Sequence, residues 1–321
     1  MRVLVAGATG AIGRPLVAAL SAHGHAVVGL TIDAGAADLL SRLGAQPLVV
    51  DVLDGDATAA AVRDARPEAV VEQLTALPRS YTPELMRGAL AATGAVRSLG
   101  GDNVYAAAVA AGARRYVAQS GCYYYRPGDG LANESEPWVE HGPPLVAATL
   151  DALIAVEERT LGLKGPLGGV ALRYGFFYGP GTWFHPDGDV AAQVRAGQYP
   201  VLGTGAGRWS FVHIDDAVAA TVAAVESDIT GAFNICDDAP VPLGQWLPAF
   251  ARYLGAPPPP HVPTGPDTDP DGRFYAELLR GADNHLGRKE LGFAPRPLAW
   301  TEARAGPAVA AGGTRGSVPS H

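Results

Sequence analysis

Lysine is scarce in this sequence, and the overall charge is negative. Lys164 and Lys289 are the only lysines among 321 residues, the net charge is −8, and the pI is about 5.5. Such a surface repels the phosphates of nucleic acids and of anionic membranes. The sequence therefore predicts neither a nucleic-acid partner nor a membrane partner.

Cysteines are also few, and long apolar runs are missing. Cys122 and Cys236 are too few to indicate a disulfide framework. No stretch of about 20 residues is free of glycine and charge, so no membrane-spanning segment is expected. No secretory signal is visible, and we expect a cytoplasmic protein without a metal site.

Short apolar segments alternate with helical patterns through the first half of the chain. The predicted strands are 3–6, 26–30, 48–50, 69–74, 116–119 and 169–172. Strands that alternate with helices are typical of an α/β fold, here a Rossmann-like, doubly wound parallel sheet with a smaller C-terminal substrate lobe. Ligands of such sheets bind beyond the carboxyl ends of the strands, where Thr75, Ser120 and Arg173 are expected.

The second half is less regular, and proline, glycine and aromatic residues crowd 174–207. We predict a dinucleotide-binding domain over 1–175, to which 208–236 return. The substrate lobe then comprises 176–207 and 237–304. Residues 305–321 lack apolar periodicity and are predicted to be a disordered tail.

A glycine-rich turn joins the first strand to the first helix. Gly7 permits the tight turn, Gly10 lets the backbone approach a pyrophosphate, and Gly13 lets the helix pack close to the strand. The amino terminus of that helix favours phosphate. The predicted cofactor-binding residues here are Gly7, Thr9, Gly10, Ala11, Ile12 and Gly13.

The residues after the second strand do not distinguish NAD from NADP. The segment Thr31-Ile32-Asp33 has neither an acidic residue at its first position nor an arginine at its second. Asp33 is the candidate for a ribose contact. Both dinucleotides therefore remain open as the cofactor.

Several further motifs occur in order along the chain. They are Asp51–Asp54, Leu172-Arg173, Tyr178–Gly181, Phe211–Asp216, Asp283-Asn284 and Arg288–Phe293. With the glycine turn, they resemble the extended short-chain dehydrogenase/reductase family, in its epimerase/dehydratase-like branch, from Met1 to about Thr301. The resemblance places Asp51 and Val52 beside the adenine and lets Asp216 cap the next helix. It also implies a small-molecule substrate and a possible homodimer.

The chain departs from this family at its catalytic pair. The family uses Tyr-x-x-x-Lys, in which the lysine lowers the pKa of a tyrosine that exchanges a proton with the substrate. Neither lysine here is preceded by tyrosine at that spacing. Counting back from Glu157, Thr149 takes the tyrosine position and Leu153 takes the lysine position. The family's Ser/Thr position falls on Ser120 or on its neighbour Gly121.

Replacements for the pair are hypotheses. Tyr123, Tyr124 and Tyr125 follow the fifth strand, so at least one phenol could face the cleft, although aromatic packing explains them equally well. We take Ser120, Tyr124 and Thr149 as candidate catalytic residues. A substrate that supplies its own acid is a further option.

Three functions remain open. The first is an NAD(P)-dependent reductase of a ketone, for instance an aromatic or secondary-metabolite ketone, with non-standard acid catalysis. Hydride delivery depends mainly on positioning and charge stabilisation, so loss of the pair does not abolish it. The alternatives are a catalytically degenerate dinucleotide-binding sensor and an epimerase or isomerase that uses bound NAD.

Overall fold

The computed structural model describes residues 1–162 and 167–300. Within these residues the chain forms thirteen strands. They are β1 Arg2–Ala6, β2 Ala26–Thr31, β3 Ala45–Val49, β4 Ala69–Glu72, β5 Arg115–Gly121, β6 Gly168–Tyr174, β7 Phe176–Tyr178, β8 Val201–Leu202, β9 Arg208–Trp209, β10 Phe211–His213, β11 Gly231–Ile235, β12 Val241–Pro242 and β13 His261–Val262.

Seven of these strands form one parallel sheet in the order β11-β6-β5-β4-β1-β2-β3. The strand order reverses between β1 and β4, where Val3 pairs with Ala69. This reversal is the switch point at which doubly wound sheets bind ligands. The predicted Rossmann-like fold is confirmed.

The same described residues form eleven α-helices. They are α1 Gly13–Ala22, α2 Ala37–Arg42, α3 Gly55–Ala65, α4 Pro83–Ala95, α5 Gly101–Ala110, α6 Pro144–Leu161, α7 Asp189–Arg195, α8 Ile214–Glu226, α9 Leu243–Tyr253, α10 Pro270–Arg273 and α11 His285–Leu291. A π-helical turn, Val96–Gly100, joins α4 to α5. None of these helices is long and apolar enough to cross a bilayer.

Aliphatic cores cover both faces of the sheet. Leu16 and Leu20 of α1 pack with Val218 of α8 on one face. On the other face, Val62 of α3 and Val104 of α5 pack against the sheet through Tyr116. Because both faces are covered, the central strands are mostly apolar, as is typical of buried parallel strands.

A third core is rich in aromatic side chains and lies in the second half of the chain. Trp246 of α9 is fully buried, and Trp209 and Phe211 lie within 5.3 Å of its ring centre. Tyr124 and Leu153 belong to the same cluster. The lobe therefore packs directly against the end of β5 and against α6. The boundaries proposed for the two domains stay a prediction, and the predicted tail at 305–321 lies outside the described residues.

The interpretation of Asp216 as a helix cap was wrong. His213 is the N-cap of α8, and its Nδ1 accepts a hydrogen bond from the Asp215 amide. Asp216 instead binds Arg296, whose Nε lies 2.9 Å from Oδ1. A carboxylate in the first turn of a helix is free to make such a contact because the residue before it already caps the helix.

Candidate functional site

The glycine turn has no room for side chains at two of its positions. Gly7 has a φ of +81°, and a Cβ added there would lie 2.9 Å from the carbonyl carbon of Gln73. A Cβ added at Gly13 would lie 2.7 Å from the carbonyl carbon of Ala8. Glycine is therefore required by the close approach of the turn to β4 and to its own helix.

The rest of the turn presents backbone to the cleft. Gly10 is exposed, and Ala11 is half-buried. Ile12 is the N-cap of α1 and is buried, and no side chain caps this helix. Thr9 is fixed by its hydroxyl, which lies 3.3 Å from the Thr31 hydroxyl. An uncapped helix terminus behind an exposed glycine fits a pyrophosphate, because unpaired N–H groups and the helix dipole favour anions.

Asp33 lies on the ribose side of the expected dinucleotide. It is exposed, and its Oδ1 accepts a hydrogen bond of 2.8 Å from the Gly35 amide. Thr31 Oγ1 in turn accepts from the Asp33 amide. These bonds shape the loop after β2.

The adenine side is formed by loops after β3 and β4. Asp51 is exposed and accepts from the Leu53 amide. Val52 is buried, and its carbonyl accepts from the Asn103 side chain at 2.8 Å. Thr75 is exposed beyond β4. Because these residues follow the carboxyl ends of parallel strands, they lie on the same side of the sheet as the glycine turn. Their roles in cofactor binding stay a prediction.

Ser120 points into a buried ion pair. Its hydroxyl donates to Glu157 Oε1 at 2.6 Å, and the same carboxylate binds Arg173 through Nε at 2.8 Å and Nη2 at 2.6 Å. Arg173 also donates to the Tyr125 hydroxyl at 2.8 Å. All four side chains are buried. The Ser120 hydroxyl is thus engaged beneath the cleft.

Tyr123 fills the space that a side chain at position 121 would occupy. A Cβ added to Gly121 would lie 2.6 Å from the Tyr123 hydroxyl. The Tyr123 ring stacks on Phe176 with a centroid distance of 4.8 Å. Burial raises the pKa of Tyr123, and the positive charge of Arg97 acts in the opposite direction. The phenol therefore stands over Gly121, one of the two positions to which the resemblance assigns the family's Ser or Thr.

Tyr124 and Thr149 meet at the floor of the lobe. The Tyr124 hydroxyl is hydrogen-bonded to that of Tyr275. Burial raises the pKa of Tyr124 well above its usual value, and the neighbouring Tyr275 and Thr149 hydroxyls offset only part of the increase. Thr149 donates to the Leu145 carbonyl at 2.7 Å. Neither hydroxyl is a ready proton donor in this arrangement.

No lysine stands at the position expected for the catalytic pair. Leu153 is fully buried among apolar residues. Lys289 is exposed and pairs with Glu290, and Lys164 lies outside the described residues. Position 153 therefore lacks the positive charge that the family's lysine supplies.

Comparison with known proteins agrees with this geometry. The model of the NAD-dependent epimerase/dehydratase family matches residues 3–236. The chain belongs to this family. A curated relative from a Streptomyces species, 3-diazoavenalumate denitrifying reductase, is 46% identical over 94% of this chain and 98% of its own length.

Solved structures support the same fold. UDP-glucose 4-epimerase from Thermotoga maritima, with UDP-glucose bound, superimposes with a TM-score of 0.74 at 20% identity, over 94% of this chain and 95% of that one. The NAD complex of the Thermus thermophilus enzyme gives 0.71 at 24% identity, over 94% and 96%. At such identities the likeness concerns the fold.

This member of the family is an NAD(P)-dependent oxidoreductase. The nicotinamide cofactor expected from the glycine turn is confirmed, and the sensor alternative is set aside. The individual catalytic residues stay predictions.

Sequence reasoning missed Arg97 altogether. This residue is buried in the turn between α4 and α5 and influences Tyr123. Its position in an alanine-rich helical segment carries no local pattern that indicates a site. Tyr123 was recognised only as one of three adjacent tyrosines, since spacing along the chain does not show which ring faces the cleft.

Proposed function

We propose that this enzyme reduces a diazo group on an aromatic acid and releases dinitrogen. The curated relative is named as a 3-diazoavenalumate denitrifying reductase, that is, a reductase that removes nitrogen from a diazo-substituted carboxylate. The observation that carries the proposal to this chain is the replacement of the proton-donating pair by Thr149 and Leu153.

The proton balance explains why the pair is dispensable. Reduction of a ketone to an alcohol consumes one hydride and one proton. Replacement of N₂ in an aryl diazonium by hydrogen consumes the hydride alone. The hydride's electron pair forms the new C–H bond, and the pair of the broken C–N bond leaves with neutral N₂. The bound reduced dinucleotide supplies that hydride and leaves oxidised.

The residues present suit a reaction without a general acid. Thr149 donates its hydroxyl hydrogen to a backbone carbonyl, and Leu153 offers no charge. An aliphatic hydroxyl is a poor acid at neutral pH. A cationic residue at position 153 would also repel a diazonium group, so an apolar leucine there favours such a substrate.

Aromatic side chains cluster after β5 and favour a planar substrate. Tyr123 stacks on Phe176 and meets Tyr124 edge-on at 4.9 Å. Tyr275 lies 6.3 Å from Phe176. Rings in offset and edge-on arrangements bind a further flat ring well.

The remaining residues have supporting roles in this proposal. Gly7, Gly10 and Gly13 hold the dinucleotide, whereas Ser120 positions Glu157 and Arg173 and does not touch the substrate. A homodimer, common among members of this family, is a further proposal that light scattering on the purified protein would test. The cytoplasmic location stays an expectation.

The test uses a hydroxylated arenediazonium carboxylate labelled with ¹⁵N, incubated with the enzyme and NADH or NADPH. We expect one ¹⁵N₂ for each dinucleotide oxidised, measured by mass spectrometry and by absorbance at 340 nm. Thr149→Ala should keep the rate within about threefold, because no proton passes through this hydroxyl.

Ketone reduction is the second candidate, and the Tyr123 hydroxyl at the Ser/Thr position favours it. Dinucleotide oxidation with aromatic ketones, without N₂ release from the diazo compound, would reject the first proposal. In that case Tyr123→Phe should lower the rate by about 10²-fold or more, as loss of a general acid does.

A further inference from the structure

Arg97 differs from the other buried arginines of the described chain. Arg115 donates to the Ala224 carbonyl at 2.8 Å, and Arg173 binds Glu157. Arg97 is only 4% exposed, and its side chain makes no hydrogen bond or ion pair with any residue in 1–162 or 167–300. Its Nε is enclosed and unpartnered.

The location of Arg97 brings its charge to the cleft. The turn that carries it packs against α6, and its carbonyl accepts from Arg159 Nη2 at 3.1 Å. The same Arg159 nitrogen binds Glu72, the last residue of β4, which pairs with Ala118 of β5, so the turn lies near the carboxyl ends of these two strands. The positive charge of Arg97 also acts on the Tyr123 phenol. The Tyr123 hydroxyl stands over Gly121, at the carboxyl end of β5. Arg97 and Tyr123 thus belong to the same edge of the sheet, at the carboxyl ends of β4 and β5.

The neighbouring carboxylates are already occupied. Glu72 binds Arg159 at 2.8 Å and accepts from the Tyr116 hydroxyl at 2.5 Å. Glu157 is held by Arg173 and Ser120. An unpaired buried cation is costly, and a group that removes this cost on binding gains affinity. The missing partner of Arg97 is therefore an anion from outside the described chain.

We propose that Arg97, assisted by the Tyr123 hydroxyl, binds an oxyanion of the aromatic substrate. A guanidinium and a phenol together offer donors to a carboxylate or to a phenolate oxygen. The inference takes its aromatic substrate from the proposed function, but it requires only binding and no turnover.

The experiment is calorimetric titration of the enzyme, saturated with its oxidised dinucleotide, with 4-hydroxycinnamate, its methyl ester and cinnamate. We expect Arg97→Gln to weaken 4-hydroxycinnamate binding by about 10- to 100-fold, the effect of losing a charged hydrogen bond. Arg97→Lys should recover part of the loss. Arg63→Gln, at an exposed arginine, is the matched control and should bind like the wild type.

The three ligands separate the two oxyanions. If the methyl ester already binds weakly to the wild type and is insensitive to Arg97→Gln, the carboxylate is the partner. If cinnamate behaves in this way, the partner is the phenolic oxygen. An equal loss for all three ligands would show a merely structural role and overturn the proposal, as would unchanged binding in Arg97→Gln or no binding to the wild type. Failure of N₂ release would leave these results valid.

Discussion

The buried layer beneath β5 and the turn after α4 use the same residue type in opposite ways. In the lower layer, Arg173 is 6% exposed and meets a carboxylate and a phenol. In the turn after α4, Arg97 is 4% exposed, and its side chain binds neither a carboxylate nor a carbonyl among the described residues. Burial alone does not distinguish them. The difference lies in whether the fold supplies the counter-charge, and this separates a structural arginine from one available to a ligand.

The largest expected effect on stability comes from replacing each of the two arginines by methionine. Arg173→Met leaves Glu157 charged and buried without its partner, which should lower the free energy of unfolding by about 3–5 kcal/mol. Arg97→Met removes a cation that has no partner among the described residues. We therefore expect the free energy of unfolding to fall by less than about 1 kcal/mol or to rise. Urea unfolding of both variants measures the difference. Equal destabilisation would show that Arg97 has a structural role like that of Arg173.

A buried carboxyl group extends the comparison of buried charges to an acidic residue. Asp237 is 4% exposed and accepts hydrogen bonds only from the amides of Phe211 and Ala239 among the described residues. Burial raises the pKa of Asp237 to about 7, above its ordinary 3.8, and the two amides oppose the increase. Because the folded state binds this proton more tightly, its stabilising contribution is complete below about pH 4 and is lost as the pH rises through 7.

The measurement is the free energy of unfolding between pH 4 and pH 8. Asp237→Asn should reduce the decline in the free energy of unfolding over this range by up to about 4 kcal/mol. Asp64→Asn, at an exposed carboxylate, is the matched control. A pH profile that is unchanged by Asp237→Asn would mean that other groups determine the decline.

The glycine turn gives the smallest of the three expected effects. Gly13→Ala forces a Cβ against the backbone of Ala8 and should cost about 1–3 kcal/mol, with about tenfold weaker dinucleotide binding. Gly88→Ala in α4 meets no atom within 4 Å and should stabilise the helix by about 0.5–1 kcal/mol. Thermal unfolding and a tryptophan-quenching titration follow both effects. Normal binding by Gly13→Ala would remove this turn from the cofactor site.

Local features of the sequence were sufficient for the fold and for the class of cofactor. The alternation of apolar strands with helices predicted the parallel sheet, because the side-chain period is set within each element. The need for glycine at 7 and 13 follows from a short turn between strand and helix. The absence of Tyr-x-x-x-Lys is also a local fact, since its two residues share one helical face.

Only the tertiary structure decided how the catalytic half is arranged. In the sequence, Glu157 served only to locate positions 149 and 153. In the fold, its carboxylate binds Ser120 and Arg173. Tyr123 reaches back over Gly121, and the turn after α4 brings Arg97 toward it. Which charges find partners depends on contacts between elements distant in the chain. The sequence by itself therefore determined the dinucleotide fold and the loss of the family's acid, and the packing of α6 against β5 decided what stands in its place.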